Sequence, residues 1–168
     1  MRTDLNNRKE SNPTSAGLAH HGNGQQHPPY ASKEASRTLN ERLEAHLGDA
    51  LANLGDRAVL NASPLSRTVF IEKLASTRYS NKIMARGLAL RQVITDCIAR
   101  LRAELGNEPT LSRCCTYLEL RSQGVKCRQI GKELNVSREH ASRMVRRQAL
   151  HLLAEAFLAA TRNGNQPG

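Results

Sequence analysis

The residues of this chain best placed to do chemistry lie between Lys126 and Arg147. If that stretch is helical, Arg138, Glu139, Ser142 and Arg143 share an outward face. An arginine can donate two hydrogen bonds to a guanine edge, a glutamate can accept from cytosine, and a serine can contact phosphate. We expect Arg138, Glu139, Ser142 and Arg143 to read bases, and Lys126, Arg128, Ser137, Arg146 and Arg147 to hold phosphates. From Lys126 to Arg147 there are seven Lys or Arg and two acids, so 7 − 2 = +5, half of the net +10 of the whole chain. A solvated basic face would show the same charge, so charge alone does not decide; the pattern beneath it does. His140 also points outward and is either a further contact or merely solvated.

Those side chains need two short helices and a tight turn to position them. In CRQIGKELNVSREHASRMVR, from Cys127 to Arg146, the apolar residues Ile130, Leu134, Ala141 and Met144 give each helix one apolar face. Gly131 falls where two crossing helices leave no room for a side chain. Asn135 tolerates the left-handed turn conformation, Val136 plugs the turn, and Ser137 is a good N-cap for the second helix. This is the layout of a helix-turn-helix, whose second helix enters the DNA major groove with its N-terminal residues at base edges.

The run QIGKELNVSREHASRM resembles the helix-turn-helix of region 4 in bacterial sigma-70 factors, with Ile130, Gly131, Leu134, Val136, Ser137, Arg138 and Glu139 on that pattern. The preceding LSRCCTYLELRSQGVKCRQ, Leu111 to Gln129, resembles the helix and Gly-containing turn that lead into it. The LuxR-type helix-turn-helix is the near alternative; Ser-Arg-Glu at the start of the second helix favours the sigma-like one. The resemblance covers roughly residues 88–153, with an apparent insertion near 102–109. It implies that the positions of Arg138 and Glu139 read bases of a −35 promoter element. His140 and Arg143 depart from the usual Arg and Gln, and Ala141 replaces the usual Ile or Val.

The rest of the chain reads as all-α, a helical bundle ending in this motif. Leu and Ala supply most of the apolar residues. Residues 1–35 hold almost no apolar side chain and read as a disordered polar tail; His20, His21 and His27 share no face and suggest no metal site. Residues 36–79 read as N-terminal helices. Leu39, Leu43, Leu47, Leu51 and Leu54 form one helical stripe, able to pack on the core or to pair between subunits, and Gly55 is its expected cap. Residues 56–62 read as a connection. Ser63 and Pro64 open a second helix carrying Leu65, Val69, Phe70 and Leu74.

Residues 80–162 read as the motif-bearing domain. Ser80 is the expected cap of a long helix from Asn81 to Leu105, with Met84, Leu90, Val93, Ile94, Cys97, Ile98, Leu101 and Leu105 on its apolar face. Thr110 should cap the next helix, with Leu111, Cys114, Cys115, Leu118 and Leu120. The motif's second helix continues to about Thr161 through Val145, Ala149, Leu152, Leu153, Ala156 and Phe157. Residues 163–168 read as a disordered tail.

Several function classes drop out. No nucleophile–base set, paired carboxylates or phosphate loop with definite spacing is present, so no catalytic residue is assigned and an enzyme is not expected. The four Cys form no CxxC, so neither a structural zinc site nor another metal or cofactor is expected. No apolar run approaches the roughly 20 residues needed to cross a bilayer, and the N-terminus shows no apolar signal core, which points to the cytoplasm and the bacterial nucleoid. The expected function is sequence-specific double-stranded DNA binding in transcription regulation, with a homodimer open. The alternative is an RNA polymerase-binding mimic of region 4, or a sigma-like factor acting by protein contact. A full sigma factor would bring an aromatic-rich segment, and residues 1–87 hold only Tyr30, Phe70 and Tyr79.

Overall fold

The structure is a computed structural model that describes residues 30–164, with side chains from Leu39 to Asn163. The tail 1–29 with its three histidines, and residues 165–168, lie outside the described residues. Every regular element described is helical: α1 Tyr30–Ala52, α2 Arg57–Ala62, a 3-10 turn Pro64–Arg67, α3 Val69–Arg78, α4 Ala85–Leu105, α5 Pro109–Ser122, α6 Cys127–Glu133, α7 Arg138–His140, a π-helical turn Ala141–Val145, and α8 Arg146–Gly164. The chain is all-α in the described residues, and no helix among them is long and apolar enough to cross a membrane.

α4 is the spine. Its face Leu90, Val93, Ile94, Cys97, Ile98 and Leu101 is buried. α2 and α3 pack on it, as do α5 and α8, and α1 lies across α8 and α5. The expected segments 36–79 and 80–162 share one core, since Leu51, Leu60 and Ile71 join Leu90, Ile94 and Leu153 in a single apolar cluster. Each fully buried Leu or Ile contributes about 1.5–3 kcal/mol relative to exposure. The extension past residue 147 packs into this core, with Ala149, Leu153 and Phe157 all buried.

Several boundaries differ from the sequence-based expectation. α1 starts at Tyr30, within the expected tail; Ala31, Lys33, Glu34 and Ala35 are strong helix formers in a stretch that lacks an apolar stripe. Of its leucines, Leu47 and Leu51 are buried but Leu39 is 68% exposed, and Leu54, in the turn after it, is buried. The expected connection 56–62 is α2. The Asp56 carboxylate caps it, accepting from the backbone N–H of Ala58 at 3.0 Å and of Val59 at 3.2 Å, and Leu60 is buried. One turn of helix is too short to show a period.

Ser63 and Pro64 start only the 3-10 turn, and the helix restarts after Thr68. That restart resets the helical phase. α3 therefore buries Ile71 and Ala75, while Val69 is 73% exposed. α4 begins at Ala85 after Met84 in the left-handed conformation, φ 60°, and not at Asn81 under a Ser80 cap. Pro109 opens α5 after Glu108, so Thr110 lies inside the first turn instead of capping it.

Candidate nucleic-acid interface

Two turns of the same design deliver α7. After α5, Gly124 takes φ 83°. The Val125 N–H donates to Leu120 O and the Gly124 N–H to Arg121 O, both at 3.0 Å, and the Arg121 guanidinium donates to Val125 O at 3.1 Å. After α6, Asn135 takes φ 51°, the Val136 N–H donates to Gly131 O at 2.9 Å and the Asn135 N–H to Lys132 O at 3.1 Å. This is the Schellman pattern of a helix end, with the left-handed position filled by glycine once and asparagine once. Val136 is half-buried. Ser137 then caps α7, its hydroxyl accepting from the His140 N–H at 3.1 Å.

The crossing of α6 and α7 is close. Ile130, Gly131 and Ala141 are buried. A methyl group on Gly131 would sit 3.2 Å from Val136 O and 3.6 Å from Ala141 Cβ. From Ala141 the helix widens into a π turn, with the Arg146 N–H donating to Ala141 O. In that wider turn the residue four after Ala141 faces inward, not the residue three after it. Val145 is accordingly buried, and Met144, expected on the apolar face, is 63% exposed.

The structure brings Ser142, Arg143, Arg146 and Arg147 together along one groove and leaves the other candidate residues exposed on the helix pair. Arg138, Glu139, Arg143, Arg146 and Arg147 are exposed on the second helix, Ser137 at its start, and Lys126 and Arg128 at the start of α6. Ser142 is half-buried and donates to Glu139 O at 3.2 Å, which leaves its oxygen free to accept. Two of the expected base readers hold each other: the Arg143 guanidinium lies 3.1 Å from the Glu139 carboxylate. An exposed pair of this spacing is worth about 0.3–0.5 kcal/mol, so a duplex can draw it apart at little cost. Among the described residues no carboxylate lies within 4 Å of Lys126, Arg128, Arg138, Arg146 or Arg147. Five cations are thus available to an anionic ligand. His140 is exposed on the same helix.

No family model matches the chain, and no curated protein or solved structure matches it.

Three features of the site have no counterpart in the sequence-based reading. Tyr117 is buried behind α6, its hydroxyl 3.6 Å from the Cys127 sulfur; burial and that contact raise its pKa above the usual phenol range. It follows Cys114 by three residues, so helical spacing alone marks it. Glu41 and Glu44 of α1 line an open groove of about 260 Å³ whose other wall is Ser142, Arg143, Arg146 and Arg147. His151 joins the two helices, with Nδ1 3.0 Å from a Glu44 carboxylate oxygen. The last two features unite residues more than a hundred apart in sequence, and no local signal announces them.

The thiols take no part in this surface. Cys97, Cys114 and Cys115 are free and buried. Burial pushes the Cys97 thiol up to about 11 and raises those of Cys114 and Cys115, which keeps them protonated. Among the described residues no group of His, Cys, Asp and Glu converges on a metal position.

Proposed function

We propose that this protein is a sequence-specific double-stranded DNA-binding regulator of transcription, acting at the nucleoid, with α7 and its π turn as the reading helix. One observation carries the reading. A serine-capped helix is pinned by Gly131 and Ala141 against α6, and turns Arg138, Glu139 and Arg143 outward within a surface of unpaired cations. The resemblance of residues 88–153, roughly, to region 4 of sigma-70 factors supports the same assignment. Arg138, Glu139, Ser142 and Arg143 read base edges, while Lys126, Arg128, Ser137, Arg146 and Arg147 bind phosphate. Affinity therefore falls steeply with salt.

Selection of random duplexes on the full chain, followed by salt titration of the winners, tests this. A defined motif with a steep salt slope is expected, and two-fold symmetry in it would report a homodimer. Arg138→Ala should cost roughly 1–3 kcal/mol and relax the motif, whereas Arg147→Ala should weaken all duplexes alike. No motif, with weak binding lost by physiological salt, would overturn the reading in favour of an RNA polymerase-binding mimic of region 4.

A further inference from the structure

The arginine row of the reading helix is open on one side only. On the other side α1 runs across it. The Arg146 side chain passes over α1 at Gly48, its terminal nitrogen 3.6 Å from where a Cβ would be. One helical turn earlier on α1, Glu44 is held by His151 at 3.0 Å and is only 22% exposed, so its carboxylate is fixed in place. Glu41 lies a further turn along and lines the same groove as Arg143, Arg146 and Arg147. Neither acid comes within 4 Å of those arginines, so the guanidinium groups are not neutralised. Both acids line the groove that an anion docking on those arginines would enter, and salt screens charges only beyond a Debye length of about 8–10 Å.

We propose that Glu41 and Glu44 form an acidic wall of the DNA-binding site that suppresses sequence-independent binding; the inference rests on the DNA-binding reading above. Phosphate carries no sequence information. Repulsion at the phosphate-holding arginines lowers the affinity of every duplex by a similar factor, so a duplex stays bound only where base contacts at Arg138 and Glu139 add to the phosphate contacts. The wall lowers the baseline affinity of the arginine row for polyanions of any sequence.

The test compares the full chain with Glu41→Gln/Glu44→Gln, and with Glu41→Gln alone, which leaves the contact between Glu44 and His151 in place. Each is measured on a selected duplex, on a scrambled duplex of equal length and on immobilised heparin. The double variant should bind the scrambled and the selected duplex alike roughly tenfold tighter at low salt, the scale expected for two carboxylates near phosphate in a largely aqueous dielectric. It should also leave heparin at higher salt, and the single variant should show a smaller change of the same sign. His151→Gln keeps both charges and should leave scrambled-duplex affinity within about twofold. Unchanged scrambled-duplex affinity and unchanged heparin elution would overturn the wall. Heparin separates the two ideas: if selection yields no cognate duplex, the DNA reading fails, yet a heparin shift still reports that the acids repel polyanions from the arginines.

Discussion

Gly131 and Gly87 each lie where two helices cross, and the two crossings differ in how tightly they close. At Gly131, where α6 meets α7, a methyl group would sit 3.2 Å from Val136 O, and its next neighbours are at 3.5 Å and 3.6 Å. At Gly87, where α4 meets α2, a methyl group would fall 2.5 Å from the carbonyl oxygen of Arg57 and 3.0 Å from the backbone nitrogen of Asn61. The Gly87 N–H also donates to Asn61 Oδ1 at 3.2 Å across 26 residues of chain. At the crossing that presents the candidate reading face, a methyl group would require Val136 O to yield by only a few tenths of an ångström. The crossing inside the scaffold has no such margin, because a methyl group there would meet a backbone oxygen at 2.5 Å.

Substituting each glycine separates the two. Gly87→Ala requires α2 to move off α4, and we expect a loss of about 3 kcal/mol, seen as a fall in Tm of roughly 10 °C. Duplex affinity per folded molecule should not change. A Tm within about 2 °C of the parent would show that the scaffold crossing is as slack as the other. Gly131→Ala should behave in the opposite way. Alanine gains up to about 1 kcal/mol in helix propensity over glycine, which offsets much of the crowding, so stability should fall by only about 1 kcal/mol. The strain is relieved by tilting α7, and duplex binding should weaken by roughly tenfold, a change of about 1.4 kcal/mol. Unaltered duplex affinity in a folded Gly131→Ala protein would mean that the angle between α6 and α7 is unimportant to the ligand.

The same contrast explains what could be read from the chain. The α6–α7 turn was legible because its parts lie within a few residues of one another: Gly131 at the crossing, Asn135 in the left-handed position, Ser137 as the cap. The α4 spine was legible because its stripe is long enough to show a period. α2 was not, since a single turn has none and its cap Asp56 reads equally well as loop. Met144 was misplaced because a π turn shifts the inward position by one residue, and nothing in Ala-Ser-Arg-Met-Val announces such a turn. The acids of α1 were invisible as part of the candidate site because their neighbourhood with Arg147 and His151 exists only after the bundle closes. Tyr117 escaped for a different reason: an aromatic at helical spacing beside two cysteines does not reveal that its hydroxyl will meet Cys127.

Backbone handedness gives a finer comparison of the same two regions. Asn135 and Met84 are the described non-glycine residues with positive φ, at 51° and 60°, and each ends or begins a helix. Asparagine is among the few side chains that take this conformation readily; an unbranched apolar one such as methionine pays about 1–2 kcal/mol for it. Asn135→Ala should therefore lose about 1 kcal/mol, while Asn135→Gly should stay close to the parent. A melt of Asn135→Ala that matched the parent would show that the turn carries no such demand.

Met84→Gly should move the other way. Met84 is exposed and caps α4 with no side-chain hydrogen bond, so little packing is lost. Relief of about 1–2 kcal/mol of strain outweighs the roughly 0.5–1 kcal/mol by which glycine favours the unfolded chain. The net is a gain of about 0.5 kcal/mol, a rise in Tm of only a degree or two by denaturant or thermal melt. A fall instead would mean that the Met84 side chain does hold the start of α4. The left-handed turn at the scaffold would then be set by packing, and the one at Asn135 by residue choice.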